Sequence, residues 1–205
     1  SSGTPGVYRK VKCGRVSYSA SASVGSLRLD TAYFTDLAVV LRFREVLLAI
    51  KARLVEAGAR LGRSAIGKVE EAFRAAVQHE PRALGFGAAD LGLRFSASVA
   101  AKYWVGVSLR TPQFSAAAEL DAGLRAWRKL EAVRRTVYCG PANRFSMLGR
   151  HSLEELDSAW AQLRGEYLDV WASAGHKRRR VAARVQALEE QHWARRRRLL
   201  GADAR

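Results

Sequence analysis

Apolar residues recur at steps of three and four over most of the chain and at every second position over one stretch. Those two periods predict helices and a strand, respectively. From Thr35 onward Leu37, Val40, Leu41, Leu47, Leu48, Leu54 and Leu61 trace a helical face, with Thr35 or Asp36 available as N-cap and Gly58 and Gly62 weakening the far end. Ser64 to Gln78 repeats the pattern with Ile66, Val69, Phe73 and Val77, and Pro81 is expected to stop it. Residues 82–92 (RALGFGAADLG) form a glycine-rich connector; no Gly-Lys-Ser/Thr follows the GFG, so it lacks the chemistry of a phosphate loop. Leu93 to Leu109 then alternates, with Phe95, Ala97, Val99, Tyr103, Val105 and Val107 on one side and Arg94, Ser96, Ser98, Lys102 and Arg110 on the other. The period is that of one long twisted strand or a hairpin. Thr111-Pro112 ends it, and a helix from Ser115 to about Tyr138 follows, striped by Leu120, Leu124, Trp127, Leu130, Val133 and Val137. Gly140-Pro141 marks a hinge.

The last third carries the sharpest pattern. Ser152-Leu153-Glu154-Glu155 is a capping box, and Leu153, Leu156, Trp160, Leu163, Tyr167 and Val170 then step along a narrow seam. Ala174-Gly175-His176 suits a helix end and turn. Val181, Val185, Leu188, His192 and Leu199 repeat the stepping beyond it, so the two seams are expected to pack as an antiparallel hairpin. Its core would comprise Leu153, Leu156, Trp160, Leu163, Tyr167, Val170, Val181, Val185 and Leu188. The opening residues are rich in Ser and Gly and carry Tyr8, Arg9, Lys10 and Lys12. Val7 to Lys12 and Arg15 to Ala20 are compatible with short strands and equally with an extended arm along a partner. The expected fold is mainly α: a basic arm over 1–34, a helical extension with a β-like segment over 35–140, and a two-helix hairpin over 141–205.

Charge narrows the function. Lys and Arg number 35 against 19 Asp and Glu, a net of +16 in 205 residues. A surplus of that size points to a polyanion, because phosphates reward cations by releasing counterions. The dominance of Arg over Lys suits RNA better than a lipid surface, since guanidinium groups bind phosphate bidentately and stack on bases. Nine basic residues occur on the second helix of the hairpin: Lys177, Arg178, Arg179, Arg180, Arg184, Arg195, Arg196, Arg197 and Arg198. Held on a rigid helix, they are the candidate RNA-gripping ridge. Trp171 and Trp193 are the tryptophans expected to be exposed for contacts, with Trp160 on the seam.

Other chemistries find little footing. His79, His151, His176 and His192 show no metal-ligand spacing with one another or with Cys13 and Cys139, and no nucleophile arrangement emerges. No catalytic residue, metal or cofactor is expected. Two reduced thiols are the expected cysteine state, although a Cys13–Cys139 disulfide is compatible with the sequence. The most apolar run, Leu37 to Ile50, is interrupted by Arg42, Arg44 and Glu45 and is too short to span a bilayer, so a soluble protein is expected. The chain opens on Ser1 without methionine or a signal-peptide pattern, which implies processing, trimming or partial observation.

Residues 144–200 resemble the universal large-subunit ribosomal protein twenty-nine family. The resemblance is carried by Ser152-Leu153-Glu154-Glu155-Leu156 with Leu163, Arg164 and Glu166, and by Arg179-Arg180-Val181-Ala182-Ala183-Arg184-Val185 with Leu188 and Glu190. Trp160 and Arg144-Phe145-Ser146-Met147-Leu148 are closer to the mitochondrial members. Gly165, the short inter-helix turn and the Arg195–Arg198 cluster depart from the family pattern, and residues 1–140 would be a lineage-specific extension. The resemblance implies a structural constituent of the ribosomal large subunit, bound to large-subunit ribosomal RNA near the nascent-chain exit beside ribosomal protein twenty-three, with no small-molecule substrate. It implies a mitochondrial ribosome, a plastid one being the lesser option. A basic coiled-coil assembly factor and a helical nucleic-acid-binding regulator are the alternatives.

Overall fold

Alternating serine and apolar positions at the start of the chain form strands, not an arm. A computed structural model describes residues 4–58, 66–137 and 149–202, with side chains of the last segment as far as 195. Strands β1 (Val7–Lys12), β2 (Arg15–Val24) and β3 (Leu27–Asp30) run antiparallel. The turn between β1 and β2 is Cys13-Gly14, both at positive φ (49° and 75°), the backbone that a two-residue hairpin turn of the right twist demands. Strand β4 (Arg94–Ala100) pairs β3, while β5 (Ser108–Arg110) and β6 (Phe114–Ser115) both pair β4. The result is a six-stranded antiparallel sheet of order β1-β2-β3-β4-β5.

The helices are α1 (Leu37–Glu56), α2 (Ile66–Ala83), α3 (Lys102–Val105), α4 (Leu120–Val137), α5 (Leu153–Ser173) and α6 (Arg178–Ala202). With 57% helix and 19% strand the fold is mixed α/β, which overturns the expected mainly α class and its basic arm. The physical reason lies in β2, whose inward positions include Ala20 and Ala22. Residues that small look too weakly apolar to mark a strand, yet they let α1 pack closely on the sheet.

Other boundaries shift for equally local reasons. Asp36 caps α1, its carboxylate accepting from the Ala38 N–H at 2.7 Å. Helix α2 runs through Pro81 to Ala83 instead of stopping near Gln78, with the proline buried in its last turn. The alternating segment is a hairpin with one helical turn, α3, inserted at its corner. Tyr103, Trp104 and Val105 are all buried there in succession, which a strand open to solvent on one side would not allow. Helix α4 begins at Leu120 because Phe114 and Ser115 are used as β6. Leu61, Cys139, the Gly140-Pro141 hinge and Arg144–Leu148 lie outside the described residues.

The chain folds as two compact units, Ser1–Ala97 with Gln113–Arg125, and Ser98–Pro112 with Ala126–Arg205. Strand β4 and helix α4 contribute residues to both. In the first unit the inward sheet face, including Val24, Leu27, Leu29 and Phe95, packs with Val40, Phe43, Leu47 and Ile50 of α1 and Phe73 of α2 in one core. Phe73 meets Phe95 edge-on at 5.0 Å, and Phe43 meets Phe34 and Phe86 at 5.0 and 5.1 Å. In the second unit the buried stripe of α5 leans on the 98–112 segment. Trp160 stacks on Trp104 at 5.4 Å, the Trp104 indole donates to the Leu156 carbonyl at 3.1 Å, and the Tyr167 hydroxyl donates to the Arg110 carbonyl at 2.9 Å. Among the described residues no helix is long and apolar enough to cross a membrane.

Candidate nucleic-acid interface

The start of α5 and the start of α6 are built on opposite principles. Ser152 and Glu155 form a reciprocal capping box, and Glu154 and Glu155 place negative charge at the positive end of the α5 dipole. Helix α6 has no acidic residue in its first turn and opens on Lys177-Arg178-Arg179-Arg180. Cations at that end oppose the helix dipole by about 0.3–1 kcal/mol each at low salt, so the arrangement does not serve stability. It concentrates positive potential at the positive end of the helix dipole.

The two helices meet in antiparallel sense. The Trp160 indole donates to Glu189, Arg164 lies 3.9 Å from Glu189, and Arg178 pairs with Asp169 at 3.1 Å. Gly175, at φ +81°, makes the turn between them. Of the expected hairpin core, Leu156, Trp160, Leu163, Tyr167, Val170 and Val185 are buried, and Val181 and Leu188 are half-buried. Leu153, the first residue of α5, is 66% exposed, so the buried stripe begins at Leu156, three positions on. Several of these residues pack on Trp104 and the Arg110 backbone and not on the companion helix alone. His192, about four turns into α6, lies 3.1 Å from the Tyr103 carbonyl.

Lys177, Arg178, Arg179, Arg180, Arg184 and Arg195 are all exposed. At about 100° per residue, Arg180, Arg184 and Arg195 share one flank of α6, within about 60° of one another. Arg179 falls about 140° from Arg184, on the side of Gln186 and Glu190, which hydrogen-bond each other at 2.9 Å. Arg178 turns toward Asp169. The ridge expected from sequence is therefore a flank plus two outliers. Among the described residues no ion pair engages Arg179, Arg180, Arg184 or Arg195. Arg196, Arg197 and Arg198 belong to the α6 backbone, and their side chains lie outside the described residues. Trp193 is exposed, whereas Trp171 is half-buried, edge-on to Tyr167 and His176.

Part of the remaining positive charge is paired within the fold. Glu131 binds Arg134 at 2.7 Å with Arg135 at 3.7 Å, and Arg53 pairs with Glu80. Arg74 bridges Glu70 and Asp121, which raises its own pKa and lowers that of Asp121, the mutual hydrogen bond being the main cause in each. It lies in a cleft of about 590 Å³ in the first unit that also carries Arg82, Arg125 and Glu119. Among the described residues no group of three or more His, Cys, Asp and Glu side chains is placed to hold a metal ion.

A second basic surface is not apparent from the sequence. The outward face of the sheet in the first unit carries Tyr8, Lys10 and Lys12 from β1, Arg28 from β3 and Arg94 from β4. The alternation Ser17, Ser19, Ser21, Ser23 is the one local signal for the strand between them. No family model matches this chain, and neither a curated protein nor a solved structure resembles it significantly.

Proposed function

We propose that the protein is a structural, RNA-binding constituent of a ribonucleoprotein particle, namely a ribosomal large subunit of mitochondrial type. The single observation that carries RNA binding is the acid-free, arginine-loaded start of α6, where the exposed Arg179 and Arg180 of the first turn have no intramolecular ion pair among the described residues; Arg184 and Arg195, further along, are unpaired as well. Charges placed against the dipole and left unpaired cost stability and gain only when a polyanion arrives. The ribosomal assignment rests on the resemblance of residues 144–200 and extends to large-subunit ribosomal RNA near the nascent-chain exit, with ribosomal protein twenty-three as neighbour. A coiled-coil assembly factor receives less support, because the α5 stripe that would take a partner helix is occupied by Trp104 and the Arg110 carbonyl of the same unit.

Sedimentation tests the reading. The protein should travel with large-subunit RNA at moderate salt and be released at high salt, each phosphate contact contributing about −0.7 to −0.9 to the log–log salt slope, the values for single strands and for duplex DNA. Replacing Arg179, Arg180 and Arg184 by Glu should abolish incorporation into the particle without lowering the melting temperature. A free species at every salt concentration, or undiminished incorporation of the variant, refutes it.

A further inference from the structure

We infer that the outward face of the sheet in the first unit is a stacking platform for single-stranded RNA, distinct from α6 and independent of the ribosomal assignment. Its centre is β2, whose serines are short enough for long side chains on β1 and β3 to meet above it. Tyr8 lies directly opposite Ser19 on one side. Phe34 bridges Tyr18 on the other, so Tyr33 is across from Ser19 as well. The two tyrosines thus flank one serine, Tyr8 from β1 and Tyr33 from the bridged segment after β3, about 10 Å apart across β2. Ser19 is only 6% exposed between them, whereas Tyr8 and Tyr33 are 49% and 53% exposed.

Each ring has its own cation, and both pairs cross β2. The Lys10 ammonium sits 5.0 Å from the Tyr33 ring and the Arg28 guanidinium 5.8 Å from the Tyr8 ring. Lys12 and Arg94 extend the positive charge toward the two ends of the face, and Asp30, paired with Arg28 at 2.9 Å, opposes it. An exposed ring beside a cation is the pairing that holds a splayed base and its phosphate. A duplex keeps its bases stacked inside and offers these rings nothing, so the preference for single strands follows from the same geometry. Stacking does not read the sugar, and deoxythymidylate should bind within about tenfold of uridylate.

The test uses the full chain, fluorescence anisotropy, and a labelled twelve-nucleotide oligouridylate beside an RNA duplex of equal length. Tyr8→Ala with Tyr33→Ala should weaken oligouridylate binding by tenfold or more, on the order expected for losing stacked bases, and leave duplex binding within about twofold. Tyr8→Phe with Tyr33→Phe keeps the rings and should stay within about threefold of the parent. Photo-crosslinking of thiouridine-substituted oligouridylate to the unaltered chain should mark residues 7–12 or 27–34, which covers the case of an unfolded alanine variant. Parent-like binding by the alanine variant, equal losses for strand and duplex, equal losses in the phenylalanine variant, or crosslinks confined to 178–195 would each overturn the inference. Arg180→Glu with Arg184→Glu, run in parallel, reports on the α6 reading alone.

Discussion

Alanine in place of glycine should have opposite effects at two helical positions, and the structure supplies the sign of each. Gly123 is buried in the first turn of α4 against the aromatic cluster of the first unit. A Cβ there would stand 2.4 Å from Phe95 Cζ and 2.7 Å from Phe114 Cγ, where carbon atoms normally rest about 3.5–4.0 Å apart. The rings would have to retreat by about 1 Å, and Phe95 is already held by Phe73 at 5.0 Å and Phe114 at 5.8 Å. Overpacking of this kind costs about 1–3 kcal/mol, against a helix-propensity gain of at most about 1 kcal/mol. Because two rings must move, the cost falls in the upper half of that range, and Gly123→Ala should destabilise by about 1–2 kcal/mol net. Gly165, in the middle of α5, has no neighbouring atom within 4 Å of an added Cβ, so Gly165→Ala should stabilise by about 0.5–1 kcal/mol. All five tryptophans fall in the second unit, so urea unfolding read by tryptophan fluorescence follows Gly165→Ala. Far-UV circular dichroism and hydrogen exchange at β4 and α4 follow Gly123→Ala. Gly67, with nothing within 4 Å in the same unit, provides the matched control. A Gly123→Ala protein as stable as the parent would refute the close approach of α4 to Phe95 and Phe114.

Two further outcomes concern the second unit. Burial is the main cause that raises the Tyr167 pKa, only partly offset by the Trp171 contact and the Arg184 charge. Its folded-state pKa therefore lies above the unfolded value of about 10, so its stabilising contribution is complete below about pH 10 and is lost as pH rises through the folded pKa. Tyr167→Phe should cost about 1 kcal/mol near neutrality, through the lost bond to the Arg110 carbonyl, and should flatten the alkaline limb of stability against pH. Identical alkaline limbs would count against a buried hydroxyl. Glu131→Gln should cost about 1–3 kcal/mol, because it strips the charge facing Arg134 and Arg135 in a nearly buried site. Replacing Glu131 and Arg134 together by Leu should recover much of that loss, and thermal melts showing the double variant to be worse than the single one would contradict the reasoning.

Local patterns are legible in the chain itself. The capping box at Ser152 and Glu155, the Asp36 cap, the stripe of α4 from Leu124 to Val137 and the buried side of Phe95, Ala97 and Val99 follow from spacing and side-chain chemistry within a turn or two. The opening strands are harder. Ala20 and Ala22 carry little apolar weight, and the same alternation describes an arm until β3 and α1 are known to lie beside it. Consecutive burial of Tyr103, Trp104 and Val105 likewise depends on neighbours such as the Leu156 carbonyl, 52 positions away in the chain from Trp104.

The candidate surfaces divide in the same way. Sequence alone determined that cations crowd the start of α6, since composition and helical period are properties of adjacent residues. Only the tertiary structure decided that Arg178 turns to Asp169 while Arg180, Arg184 and Arg195 stay exposed on one flank without an ion pair among the described residues. Tertiary structure likewise brings Tyr8, Lys10, Arg28 and Tyr33 together over the serines of β2. Strand pairing joins residues by register, a long-range choice settled by which faces can be buried together, and no local spacing encodes it.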